Sequence, residues 1–138
     1  EMETLHSEKK VKHIGISNIT LEQLKVVYTH AKIKPTFVQN RCYASRSWDK
    51  DIREFCIQKN IIYQGFSLLT ANSFVLPHLQ PIATRLHKTP AQVLFRFSQQ
   101  INILPLTGTT SQKHMQEDLN LDFDLNNEEI ESIKRINH

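Results

Sequence analysis

The sequence predicts an α/β fold, part of a (β/α)8 barrel, on three observations. Short apolar runs alternate with segments of helical period along the 138 residues. Several helix starts carry matched capping residues, and the apolar runs end in small, polar or aromatic side chains. Strands separated by helices imply parallel pairing through right-handed crossovers.

The first strand ends at His13-Ile14-Gly15-Ile16 and is followed by Ser17-Asn18. A helix then starts at Thr20: the threonine can cap it, Gln23 completes a capping box, and Ile19 with Leu24 can form the hydrophobic staple. Leu21, Leu24, Val27, Tyr28 and Ala31 recur at three and four, which predicts one buried face. Thr36-Phe37-Val38-Gln39 reads as the second strand, and the stretch from Asp49 to Lys59 as a helix burying Ile52, Phe55 and Cys56. The third strand is Ile61-Ile62-Tyr63-Gln64-Gly65-Phe66. A longer loop leads to a short helix around His78 to His87, then to a helix opened by Thr89-Pro90-Ala91-Gln92. There a threonine cap, proline at the first helical position and glutamine at the third agree on the boundary. Ile101 to Leu104 is the fourth strand and runs into Pro105, whose missing N–H suits a strand end. A helix near Lys113 to Leu119 follows. The last helix comes after Asn126, with Glu129 at its third position and Ile130, Ile133 and Ile136 along one face.

Four such units make half a barrel. A complete one takes about 250 residues, and four parallel strands alone leave two edges with unpaired N–H and C=O groups. Residues 1–138 are therefore expected to be a half-barrel rather than a complete independent domain. A small open doubly wound sheet is the rival, but no Gly-x-Gly-x-x-Gly turn follows any strand.

Composition removes other classes. With 39% hydrophobic and 22% charged residues the chain can bury one core. Its net charge of +3 is spread among interleaved acids and bases, and the one dense basic run, Lys9, Lys10 and Lys12, reads as a solvated helix end. No nucleic-acid partner is expected. Cys42 and Cys56 read as reduced, buried thiols rather than a disulfide framework. No apolar stretch approaches the roughly 20 residues that span a bilayer, and Glu1-Met2-Glu3 shows no signal-peptide pattern, so the setting is read as cytoplasmic, with no membrane partner. Seven histidines include no His-Glu-x-x-His helix and no Cys-x-x-Cys pair accompanies them, so no metal site is expected.

In a parallel barrel, function collects where strands end and helices begin. Those junctions are Ser17-Asn18, Gln39, Phe66-Ser67 and Thr107-Gly108-Thr109-Thr110. The last two follow the positions of the seventh and eighth strands of a full barrel, a region that frequently forms a phosphate site. Backbone N–H groups beside Gly108 and the hydroxyls of Thr109 and Thr110 are suitable donors for pyrophosphate. Turn and cap duty is the alternative use of these residues.

These segments resemble the aldo-keto reductase family. His13-Ile14-Gly15-Ile16-Ser17-Asn18-Ile19 is similar to its fifth barrel strand and Val38-Gln39-Asn40-Arg41-Cys42 to its sixth. Gln64-Gly65-Phe66-Ser67-Leu68-Leu69 is similar to the seventh, Thr89-Pro90-Ala91-Gln92-Val93-Leu94 to the helix after it, and Glu117-Asp118-Leu119 with Phe123-Asp124-Leu125 to the end of the eighth unit. The resemblance covers essentially the whole chain and implies the fifth to eighth βα units plus a C-terminal helix. By that resemblance, Ser17, Asn18 and Gln39 hydrogen-bond a nicotinamide carboxamide and Phe66 stands where the family has a stacking tyrosine. Ser67 and Leu69 contact the pyrophosphate, and Thr107, Gly108, Thr109, Thr110, His114 and Asp118 surround the rest of the dinucleotide.

The resemblance also shows departures. Leu106 falls where many members have a lysine that pairs with the 2′-phosphate of NADPH, and leucine cannot make that charge-assisted contact. Asp118 would repel a 2′-phosphate but could accept a hydrogen bond from a free ribose hydroxyl. NADPH is the family default and NADH the rival. The family's catalytic aspartate, tyrosine, lysine and histidine belong to the N-terminal half, so no catalytic residue is expected here; Tyr28, Tyr43 and Tyr63 read as structural. Two functions follow. The chain is part of an oxidoreductase that reduces aldehydes or ketones with a nicotinamide cofactor, completed by an N-terminal half-barrel, or it is a non-catalytic half-barrel that binds a cofactor or partner. Trp48 and the loop from Leu69 to Pro77 are candidate pocket edges, Trp48 equally a packing anchor.

Overall fold

A computed structural model describes residues 1–137. Strands β1 (Gly15–Ser17), β2 (Phe37–Arg41), β3 (Ile62–Phe66) and β4 (Leu104–Pro105) pair in parallel in the order β1-β2-β3-β4. A doubly wound sheet reverses its strand order at a switch point, and this sheet does not, so the rival architecture falls. The helices are α1 (Met2–Ser7), α2 (Leu21–His30), α3 (Lys50–Gln58), α4 (Gln80–Leu86), α5 (Pro90–Gln100), α6 (Gln112–Leu119) and α7 (Asn127–Lys134), with tight turns at Ala44–Asp49 and Leu76–Leu79.

Three helices begin with complete capping boxes: Thr20 with Gln23, Thr89 with Gln92, and Asn126 with Glu129. Each satisfies two N–H groups that the first turn leaves free. Gln92 does more than cap, because its Nε2 also donates to the carbonyls of Glu117 and Asn120 and so ties the end of α6 to the start of α5. α5 lies in the middle of the core with Val93, Leu94, Phe95 and Phe97 buried. Trp48 is fully buried and meets Phe97 edge-on, with centroids 5.1 Å apart, so it is a packing anchor and not a pocket edge.

Three details differ from the sequence-based expectation. Helix α1 carries no buried residue and so left no apolar period to read; it is tied down by Glu3, whose carboxylate accepts from the Ile33 N–H at 2.9 Å. On α2 only Leu24 is fully buried, while Val27 is 37% exposed, because α2 packs on α3 and its other flank stays open at the edge of the sheet. The fourth strand is only Leu104–Pro105. Ile101 caps α5 and the Ile103 N–H is spent on the Ser98 carbonyl at 2.8 Å, which leaves these residues at the helix end.

Alternation along the strands gives the sheet two unlike faces. Val38, Asn40, Tyr63, Gly65 and Ile103 are buried under the helices. Gly65 has to be glycine, since a Cβ there would stand 2.7 Å from Ile103 Cγ2. The opposite face, with Phe37, Gln39 and Arg41 on β2 and Ile62, Gln64 and Phe66 on β3, is open, and Ile62 and Leu104 stay 44% and 45% exposed.

Candidate functional site

The carboxyl ends of all four strands lie on one rim, and the expected site residues follow from the register. Ser17 pairs with Gln39 and Gln39 with Gln64, so one polar row crosses three strands on the open face. Gln39 Nε2 donates to Gln64 Oε1 at 3.1 Å, and the three side chains line one shallow cavity of about 230 Å³ together with Gly15 and Phe37. Gln64 was not singled out from the sequence; a polar residue in the middle of an apolar strand, one alternation step from Phe66, was the signal available.

Asn18 and Ser67, the residues just past β1 and β3, both adopt left-handed backbone at φ 56°. For residues other than glycine that conformation costs on the order of 1 kcal/mol and persists where neighbours over-determine it. The over-determination at Asn18 is visible. Its N–H donates to the Gln39 carbonyl at 3.0 Å, and the next residue, Ile19, is gripped on both sides by the buried Asn40, which accepts from the Ile19 N–H at 3.0 Å and donates to its carbonyl at 2.9 Å.

Beyond β4 a second cavity, about 650 Å³, is lined by Leu69, Thr107, Gly108, Thr109, His114 and Asp118 among others, with Thr89-Pro90-Ala91 forming one wall. Six expected residues thus converge on one groove; Thr110 is exposed and lies off its lining. Gly108 has neither a left-handed φ nor any atom within 4 Å of the Cβ it lacks, so the fold itself makes no demand for glycine there. The Thr107 hydroxyl donates to Asp118 at 3.3 Å, Thr109 Oγ1 accepts from the Ser111 N–H, and Ser111 Oγ caps α6 at the His114 N–H. Turn and cap duty is therefore part of what these residues do. Lys113, absent from the sequence-based set, also lines the groove, 3.8 Å from Glu117.

Behind the rim sits a buried polar network that the sequence did not announce. Asn72 accepts from the Ala44 N–H at 2.7 Å and donates to the carbonyls of Cys42 and Leu68 at 2.9 and 2.8 Å. Arg53 donates to the Trp48 carbonyl at 2.6 Å and the Ile101 carbonyl at 2.7 Å, and Tyr63 donates to Asp49 at 2.6 Å. Together they hold Ser47, Trp48 and Asp49, three consecutive residues in left-handed backbone. Burial, then the neighbouring Cys42 and Asp49, pushes the Tyr63 phenol upward, and burial pushes the Cys42 thiol up to about 12 and that of Cys56 to about 11. Tyr63 is thus held protonated inside the core rather than presented at the rim.

The model of the aldo/keto reductase family matches residues 1–138. The chain belongs to that family. Among its relatives, the 9,11-endoperoxide prostaglandin H2 reductase of Trypanosoma cruzi is 33% identical over 141 residues, which take up 99% of this chain and 50% of that protein. The NADPH-dependent alpha-keto amide reductase of Saccharomyces cerevisiae is 27% identical over 154 residues, 99% of this chain and 47% of its own. A solved aldo-keto reductase from a Medee basin deep-sea metagenome library superposes with a TM-score of 0.90 at 26% identity, over 99% of this chain and 52% of that one. The chain spans about half the length of the curated relatives it matches, and its four-stranded sheet is about half of an aldo-keto reductase barrel. Among the described residues no group of acidic, histidine or cysteine side chains could hold a metal, and no helix is long and apolar enough to cross a membrane.

Proposed function

We propose that this chain supplies the dinucleotide side of an enzyme that reduces aldehydes or ketones with NADPH or NADH. The observation that carries the reading is the placement of the Ser17–Gln39–Gln64 row and the Thr107–Asp118 groove on the same rim of one sheet. They are separated by up to three strand spacings, about 14 Å, which suits an extended two-part ligand rather than a compact one. In this reading Ser17, Asn18 and Gln39 hold the carboxamide and Phe66 stacks on the ring. Ser67, Leu69, Thr107, Gly108, Thr109 and Thr110 face the phosphates, while His114 and Asp118 border the adenosine.

When bound, the dinucleotide supplies a hydride to the carbonyl carbon, giving an alcohol once a proton reaches the oxygen. The three tyrosines of this chain do not offer that proton: Tyr63 is buried, Tyr28 packs edge-on against Phe55, and Tyr43 has the guanidinium groups of Arg41 and Arg46 against its ring. The proton donor and the rest of the substrate pocket belong to an N-terminal half-barrel, so the 138-residue chain alone is inactive and does not complete a domain by itself. Free buried thiols at Cys42 and Cys56 support a reducing, cytoplasmic setting.

The groove has Leu106 half-buried beside it and two carboxylates, Glu117 and Asp118, on its wall, with Lys113 and His114 also on the lining. That balance supports little discrimination between the two dinucleotides. Calorimetric titration of the chain with NADPH and NADH tests both points. Binding of the two within about tenfold, about 1.4 kcal/mol, is expected, with Gln39→Ala weakening both alike. A chain that binds neither sinks the cofactor reading, and a preference for NADPH of roughly a hundredfold or more sinks the selectivity reading.

A further inference from the structure

Gln64 completes the polar row on the open face, yet the cofactor reading gives it no contact with the ligand. Along β3 it is an amide between two apolar neighbours on the same face, Ile62 and Phe66. It stands in register with Gln39 on one side and Leu104 on the other, so its strand is paired along both edges. The residues before and after it fix that strand from beneath: Tyr63 donates to Asp49 at 2.6 Å, and Gly65 lies against Ile103 and Cys42.

What Gln64 touches is Gln39. Its Oε1 accepts from Gln39 Nε2 at 3.1 Å. A primary amide carries its donor and its acceptor on two arms of one plane, and half a turn about its last bond exchanges them at little cost unless a partner tells them apart. Gln64 is that partner. With the nitrogen engaged on the β3 side, the Gln39 oxygen is turned away from β3, and β1 lies on that other side with Ser17 in register. Among the described residues, Gln39 Oε1 and the Ser17 hydroxyl have no hydrogen-bond partner, and both residues line the cavity of about 230 Å³. A hydroxyl that can donate beside an amide oxygen that accepts is the complement of a primary carboxamide.

We infer that Gln64 is a positioning residue, which locks the Gln39 amide with its oxygen toward the ligand so that the site reads the N–H of the nicotinamide carboxamide. A ring that lacks this N–H leaves the Gln39 oxygen unpaired once the ring covers it, and an acceptor left without a partner is the costly outcome. For its ligand this lock rests on the cofactor reading; the lock itself exists without one.

The probes are NADP⁺ and its 3-acetylpyridine analogue, in which a methyl group replaces the carboxamide NH2. Both are titrated calorimetrically into the chain and into its Gln64→Leu and Gln64→Glu variants. The readout is the ratio of the two dissociation constants, in which any loss common to both ligands cancels. The wild-type chain is expected to favour NADP⁺ by about tenfold or more, and Gln64→Leu by no more than about threefold. Gln64→Glu should keep the wild-type ratio, because an ionised carboxylate only accepts and so still demands the Gln39 nitrogen. If Gln64 merely supports the strand, Gln64→Leu weakens both ligands alike and keeps the wild-type ratio, which overturns the positioning role. A ratio lost in Gln64→Glu overturns it too, since the amide pair then runs the other way, as does a wild-type ratio near one. A second measurement needs no ligand. The side-chain amide protons of Gln39 should exchange with water more slowly than those of the exposed Gln58, and faster in Gln64→Leu but not in Gln64→Glu. Equal exchange in all three chains removes the lock. A wild-type chain that binds neither dinucleotide counts against the cofactor reading, and the exchange rates then decide the lock by themselves.

Discussion

At the residue scale, the side chains that hold the rim are buried amides and one buried guanidinium, and their energetics are those of satisfied polar groups in a dry core. Asn72 is fully buried and serves one donor and two acceptors of the backbone. Asn72→Ala leaves these groups without partners, and at about 1–3 kcal/mol for each unsatisfied group the expected destabilisation is about 3 kcal/mol, read as a lowered urea midpoint. A loss below about 1 kcal/mol would show that water replaces the amide. The thiols give a test by pH. Burial raises the native pKa of Cys42 to about 12 and of Cys56 to about 11, against an unfolded value of about 8.5, so above that value the unfolded chain releases protons that the native chain keeps. Stability is therefore fully present below about pH 8.5 and falls as pH rises toward the native values; a urea midpoint that fails to drop between about pH 8 and about pH 10 contradicts this. Gly108 behaves in the opposite way to Asn72. Since no neighbour crowds it and its φ is not left-handed, Gly108→Ala should leave stability unchanged or raise it by about 0.5 kcal/mol, while a cofactor that approaches the backbone there would bind less tightly.

At the element scale, the helices were legible where their ends were written in the sequence. Thr20, Thr89 and Asn126 cap as expected, because a capping box is a local interaction between residues three apart and needs no tertiary partner. Thr89→Ala should cost about 1 kcal/mol in thermal or urea unfolding, much as the same change at Thr20 should. Gln92→Ala should cost more, because its side chain accepts from the Thr89 N–H and also donates to the carbonyls of Glu117 and Asn120, tying α5 to α6. Where the expectation failed, the cause was not local. A helical period at Leu21, Val27 and Tyr28 does not say which flank of α2 meets a neighbour, and the run Ile101 to Leu104 does not say that its first amides are taken by the end of α5.

At the scale of the whole molecule, the sheet has two unpaired edges, β1 and β4, and an open face that carries Phe37, Ile62 and Leu104. Strand edges and apolar rows of this kind are templates for further pairing. The isolated chain is expected to self-associate with rising concentration in sedimentation velocity, and the double variant Ile62→Lys with Leu104→Lys to suppress it without loss of helical circular dichroism. A wild-type chain that stays monomeric across the accessible range would show that the half-barrel closes its own face. On the proposed function, carbonyl reduction is expected only when a complementary half supplies the remaining strands and the proton donor.

The sequence by itself determined the alternation of strands and helices, the helix starts and the run of small polar residues at the strand ends, since each is set by neighbours within a few positions. The tertiary structure decided which of those residues meet. Parallel register places Ser17, Gln39 and Gln64 in one row although 47 positions separate the first from the last, and it sets Arg41 beside Phe66. It also decided that Trp48 faces the core and that Asn40, Arg53 and Asn72 hold the rim, because a buried polar side chain is recognised only by the backbone groups that folding brings to it.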